Sequence, residues 1–130
     1  MKTPTFRCKI EAYCPIYSSE DPDKVILSVT NVLPNSKIKS TKKEIKATSI
    51  NLDTIEKISD TFHSRKSLSS FRRQLIKNLD YDSTWFYLNK QAAFVNTVAL
   101  CETAEESPLG PIKVYLYSES IQEIIDWLVS

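Results

Sequence analysis

Glycine occurs once in this 130-residue chain, at Gly110, and histidine once, at His63. A domain with a single glycine cannot form a glycine-rich phosphate loop, so nucleotide-binding motifs of that type are excluded. No H-E-x-x-H pattern is present, and no serine sits in a nucleophile-elbow context. The three cysteines, Cys8, Cys14 and Cys101, form an odd count without a C-x-x-C pair. Cys8 and Cys14 lie six apart on one alternating segment, which would hold them roughly 20 Å apart, far beyond disulfide reach. They are expected to be core thiols in a reducing compartment. No apolar run exceeds four residues, which leaves no membrane span and no secretory segment. The expected location is the cytoplasm.

What the chain does contain is ordinary for a folded domain: 42% hydrophobic and 25% charged residues. Its length fits one domain, residues 1–130, with a core that needs no metal or disulfide staple. Residues 5–14 alternate polar and apolar and read as a strand that buries Cys8, Ile10, Ala12 and Cys14. Asp21-Pro22-Asp23 has the composition of a helix start. Val25, Val29 and Val32 follow at helical spacing, and Pro34-Asn35 ends the helix. The Lys-rich residues 36–50 read as a strand or a bent strand pair. From Leu52 to Leu79 the apolar spacing is helical, with a break near 64–70.

Asp80-Tyr81-Asp82 reads as a turn, and residues 84–89 and 94–101 as an antiparallel pair rich in aromatic and β-branched residues. Pro108 to Pro111 forms the next turn, before a last strand over 112–117 that buries Ile112, Val114 and Leu116. Ser120 and Glu123 match a capping box, opening a final helix with Ile121, Ile124, Ile125 and Leu128 on one face. Strands and helices interleave without a regular βαβ repeat. The fold class that follows is α+β, with a mixed or antiparallel sheet covered by helices on one face.

Charge is segregated although the net is only +1. Between Lys37 and Lys77 eleven Lys/Arg stand against four acids, a net of +7, while the remainder carries −6. A domain with one basic and one acidic flank can hold a polyanion in a fixed orientation. The same lysines also suit a guarded edge strand, and the arginines a solvated helix side. Arg65, Lys66, Arg72, Arg73 and Lys77 are the candidates for gripping RNA phosphates, because the arginine fork matches phosphate oxygens. Asn89, Lys90 and Gln91, expected at a hairpin tip, would add directed hydrogen bonds, or would satisfy turn backbone groups instead. Tyr115 and Tyr117 fall on the outward side of the last strand. There they offer a stacking surface for bases or a dimer interface. Trp85 and Trp127 are expected in the core or at an interface.

Nothing in the residues points to catalysis. His63 stands alone on a basic helix, and Glu102, Glu105 and Glu106 lack the ligand spacing of a cation site. No catalytic residue, metal ligand or cofactor is therefore expected.

Three segments carry a family likeness: Phe86-Tyr-Leu-Asn-Lys-Gln-Ala-Ala-Phe-Val-Asn96, Ser107-Pro-Leu-Gly-Pro-Ile112 and Ile125-Asp-Trp-Leu128. With them the chain resembles uncharacterised protein family 0201, a set of small archaeal proteins. Asn96 stands where that family usually has glycine; asparagine tolerates left-handed backbone angles better than most residues. In the Arg65–Leu79 helix, Ser69 replaces the family's acid and Phe71 its small residue. The resemblance implies a fold like that of large-subunit ribosomal protein five and a non-catalytic RNA-binding role. Structured RNA is then the expected partner, with a homodimerising interaction module as the alternative.

Overall fold

A computed structural model describes residues 6–65 and 67–130. Six strands and five helices alternate as β1 (Lys9–Pro15), α1 (Pro22–Val32), β2 (Lys37–Ser40), β3 (Glu44–Ser49), α2 (Asp53–Ser64), α3 (Leu68–Lys77), β4 (Ser83–Leu88), α4 (Lys90–Phe94), β5 (Leu100–Cys101), β6 (Ile112–Tyr117) and α5 (Ile121–Val129). The strands form one sheet in the order β2-β3-β1-β6-β4-β5, and every pairing is antiparallel. This resolves the expected mixed or antiparallel sheet in favour of the second.

Strict alternation divides the sheet into two faces. Ile10, Ala12, Cys14, Ile45, Ala47, Phe86, Leu88, Ile112, Val114 and Leu116 point to one side, and none is more than 1% exposed. They join Val25, Val29, Ile55, Ile58, Phe62, Phe71, Leu75, Ala93, Ile121 and Leu128 of the helices in a single core. Phe71 is fully buried, with its ring centre 4.7 Å from Phe62 and 5.0 Å from Phe86. It fills the junction of α2, α3 and β4. All the helices lie on this side.

Local chemistry sets the element ends. The Asp21 carboxylate accepts from the Asp23 amide at 3.0 Å, and Pro22 occupies the first helical turn of α1. Asn35 follows that helix with φ +65°. Thr41 Oγ1 accepts from the amides of Lys43 and Glu44 and so closes the β2–β3 turn. Gly110 has φ +87°, and a Cβ there would lie 2.4 Å from Pro15 Cγ, so the single glycine stands where no side chain fits.

The structure departs from three expectations. The first strand begins at Lys9 rather than residue 5; Phe6 to Cys8 is irregular and residues 1–5 lie outside the described residues. The helical stretch does break where expected, with α2 ending at Ser64 and α3 beginning at Leu68. The Ser120 hydroxyl makes no cap hydrogen bond; its amide instead donates to Ser118 Oγ, so no capping box forms.

The largest departure is at 94–101, where the expected strand shrinks to the two residues of β5. Asn89 to Asn96 folds as α4 and its caps. Asn89 Oδ1 accepts from the Ala92 amide at 2.8 Å. At the far end the Thr97 and Asn96 amides return to the carbonyls of Ala92 and Ala93. That is a Schellman closure with Asn96 in the left-handed position, φ +60°. The apolar run 92–95 imitates a strand, but Lys90 and Ala93, three apart, form the buried helical face.

Candidate nucleic-acid interface

Asn89, Lys90 and Gln91 are not at a hairpin tip; Lys90 is buried, Asn89 half-buried and Gln91 exposed, and all three bond to neighbouring groups of the fold. The Lys90 side chain is only 3% exposed and ion-paired to Glu20. Its Nζ donates to the carbonyls of Pro15 at 2.7 Å and Leu109 at 2.5 Å, and to Glu20 Oε1 at 2.9 Å. All three ammonium protons therefore have acceptors. Gln91 donates to Pro108 O and accepts from Ser107 Oγ, which also receives the Lys90 amide. The triplet ties α4, β1 and the 107–110 turn together. Lys90, expected to reach RNA, is a buried structural cation: an ammonium with three internal acceptors in a dry site does not leave it for solvent.

The basic residues of α3 do reach the surface, but not as one cluster. Arg73 pairs with Glu102 at 3.3 Å, both side chains well exposed. Arg65, which follows α2, donates from Nη1 to the Val98 carbonyl at 2.9 Å and lines a groove beside β5. Arg72 and Lys77 are exposed, with no hydrogen bond or ion pair to a described residue. Lys66 lies outside the described residues. The inner side of α3 is fixed to the sheet through Gln74, whose Nε2 donates to Cys101 O at 2.6 Å, and through Leu75, whose carbonyl accepts from Thr84 Oγ1.

The run of positive charge from Lys37 to Lys77 is thus divided in space. Its arginines ride on the helical layer near the β4–β5 edge. Its lysines at 37, 39 and 46 lie at the other end of the sheet, on the face opposite the helices. Register places them there: Lys39 faces Lys46, Lys46 faces Tyr13, and Lys37 faces Thr48.

That second face is uncovered among the described residues, and aromatic side chains occupy its middle. Tyr13 of β1, Tyr115 and Tyr117 of β6, and Trp85 and Tyr87 of β4 all point to it and are half-buried. Tyr115 and Tyr117 run nearly parallel, 12° between planes and 6.0 Å between centres. Tyr13 meets Tyr115 edge-on at 5.9 Å, and Trp85 meets Tyr87 at 5.0 Å. Lys113 Nζ sits among them, 4.2 Å from the Trp85 ring centre and 4.9 Å from that of Tyr115. Tyr13, Glu44, Lys113, Tyr115 and Tyr117 line a shallow hollow of about 460 Å³. Trp85, expected in the core or at an interface, is on this open face.

Glu11 is the carboxylate in the middle of the face, 3.4 Å from Lys46 Nζ and 3.7 Å from Lys9 Nζ. Hydrogen bonding to Glu11 holds the Lys46 ammonium above its ordinary pKa. Burial, reinforced by the Glu11 charge, raises the Tyr117 phenol. Both groups keep their protons at neutral pH, Lys46 as an ammonium and Tyr117 as a neutral phenol. Alternation along β6 pointed to Tyr115 and Tyr117 and sets Lys113 on their side; Tyr13, Trp85 and Tyr87 join them only through the non-local order β1-β6-β4.

The remaining reactive groups are engaged or silenced. Burial pushes the Cys8 thiol up to about 11 and the Cys14 thiol up to about 12; at these values neither is a thiolate at neutral pH. The two His63 ring nitrogens lie 2.7 Å from Ser59 O and 2.6 Å from Ser130 O. Glu106 accepts from the Glu102 amide, and among the described residues no three of His, Cys, Asp or Glu gather as a metal site would require. No helix is long and apolar enough to cross a membrane among the described residues.

Residues 9–117 match a family model described as "RNA binding". The chain is 35% identical over 120 residues to a UPF0201 protein of Methanothermobacter thermautotrophicus, covering 92% of this chain and 89% of that one. It is also 35% identical over 124 residues to a UPF0201 protein of Sulfurisphaera tokodaii, covering 92% and 86%. The crystal structure of a UPF0201 protein from Methanococcus jannaschii superposes with a TM-score of 0.80 at 25% identity, over 93% of this chain and 92% of that chain.

Proposed function

The chain belongs to the UPF0201 family, and from that premise we propose that it is a non-catalytic RNA-binding module whose RNA lies on the uncovered sheet face. One observation carries the reading: five aromatic rings with lysines between and beside them, on a face that the helices leave open. Rings supply base-stacking surface and lysines neutralise phosphate, the two contributions that RNA-binding sheets combine. The "RNA binding" description of the family model is consistent with it. Buried, protonated thiols and a histidine held between two carbonyls support the non-catalytic part.

A second copy of the chain suits this face less well. A two-fold contact brings a patch against itself, and here Lys9, Lys37, Lys39, Lys46 and Lys113 stand against Glu11 and Glu44. Like charges would meet. A polyanion answers that excess directly.

The test compares two charge reversals by fluorescence anisotropy with an RNA that contains both a hairpin and a single-stranded tail, across a salt series. Lys37 and Lys39 are exposed on an edge strand, so K37E/K39E is expected to leave the fold intact. It should weaken binding and flatten the log–log salt slope by roughly 0.7 to 0.9 per lost phosphate contact. R72E/R73E on α3 should change little. Loss confined to R72E/R73E would move the RNA to the helical layer, and no binding by the unaltered protein at low salt would end the RNA reading.

A further inference from the structure

We infer that the RNA held by this face is single-stranded, with unpaired bases stacked on Trp85, Tyr115 and Tyr117 and the phosphates running along the lysines of β2 and β3. This rests on the sheet face being the RNA surface and specifies what the surface can read. The charge around the rings is one-sided. Toward β2–β3 the face carries Lys37, Lys39 and Lys46. At its other side, on β4, the face carries the rings Trp85 and Tyr87 and no charged side chain. A single strand has that polarity itself, phosphates along one side and bases along the other.

A duplex does not. It presents phosphates on both strands, so one of them would lie along β4, which supplies no cation. Its base faces are buried in its own stack and give the rings nothing to cover. Among the described residues the face also has no protruding element: it is a sheet surface hollowed at Tyr13, Lys113 and Tyr115. Such a shape accepts flat bases and cannot enter the narrow A-form major groove.

Lys113 makes the inference specific. Its ammonium rests 4.2 Å from the Trp85 ring centre, over the ring face that a stacked base would cover. Stacking on Trp85 therefore requires Lys113 to swing off the ring, which frees its charge for a phosphate or a base oxygen. Trp85 becomes a reporter of that exchange.

The chain has two tryptophans, and the other, Trp127, lies in the helical layer against the core. Trp127→Phe leaves Trp85 as the sole emitter; should that variant fail to fold, subtracting Trp85→Phe spectra from those of the unaltered protein gives the same signal. The probes are a ten-nucleotide oligoadenylate and oligouridylate and a twelve-base-pair blunt RNA duplex. The expected result is saturable change of Trp85 emission with the single strands, at least tenfold tighter binding than to the duplex, and a roughly 5- to 150-fold loss on Tyr115→Ala. Duplex binding as tight as single-strand binding, or binding without a Trp85 response, would overturn the single-strand inference while leaving RNA binding intact. No binding of any probe at low salt, with a dimer by sedimentation that K37E/K39E does not disturb, would overturn both and give the face to a second copy.

Discussion

Lys90 and Lys113 are both lysines placed among apolar residues, and the molecule uses them in opposite ways. Lys90 donates to two carbonyls and a carboxylate in a site that water barely reaches. Lys113 touches the faces of three aromatic rings on an open sheet. The first arrangement fixes a position: α4, β1 and the 107–110 turn cannot shift without leaving an acceptor unpaired. The second is soft, because cation–ring contacts at a surface are worth about 0.5–1 kcal/mol and can be exchanged for a ligand. Polar atoms fully engaged within the fold mark structure. Loosely held charges beside open rings mark a surface free to bind.

The largest expected effect tests the Lys90 side. Lys90→Met keeps the volume but takes the ammonium from two carbonyls and from Glu20, whose carboxylate keeps only the Tyr17 amide, and should cost about 3–5 kcal/mol in urea unfolding. Its RNA affinity, measured while the protein is still folded, should be unchanged. A Lys90→Met protein of near-native stability that no longer binds RNA would invert the comparison.

On the sheet side the expected effects are on binding alone. Trp85→Ala should lower single-strand affinity by about 1–3 kcal/mol and leave the urea midpoint close to that of the unaltered protein, since Trp85 sits outside the core. A large loss of stability would make Trp85 part of the fold and weaken the contrast with Lys90.

The smallest effect is at His63, remote from both regions. Hydrogen bonds to the carbonyls of Ser59 and Ser130, in that order, raise its pKa above 6.5. Because the folded value is the higher one, protonated His63 stabilises the fold fully below pH 6.5, and this contribution fades as pH rises through the folded pKa. The urea midpoint should therefore fall slightly from pH 5.5 to 8 in the unaltered protein and less so in His63→Gln. RNA affinity in His63→Gln should match the unaltered protein at both pH values.

The same contrast explains what could be read from the sequence. Alternation located β1, β4 and β6, and the Asp21-Pro22 start and Pro34 stop bounded α1, because those signals are local. The 89–96 segment misled because Lys90 is buried: a charged residue on the inner face of α4 erases the amphipathic pattern that would have announced a helix. Asn96 kept the left-handed turn expected of it. The basic run from 37 to 77 is continuous along the chain, but strand order sends its lysines and arginines to different surfaces. The ring cluster is likewise invisible locally, since Tyr13, Trp85 and Tyr115 are neighbours only through β1-β6-β4 pairing.

Backbone amide shifts of ¹⁵N-labelled protein during titration with a short single-stranded RNA locate the RNA on the molecule. The perturbed amides are expected at Tyr13, Lys46, Trp85, Lys113 and Tyr115 and their sheet neighbours, with α3 and residues 89–96 quiet. Shifts confined to α3 or to 89–96, with the sheet face unmoved, would contradict that placement.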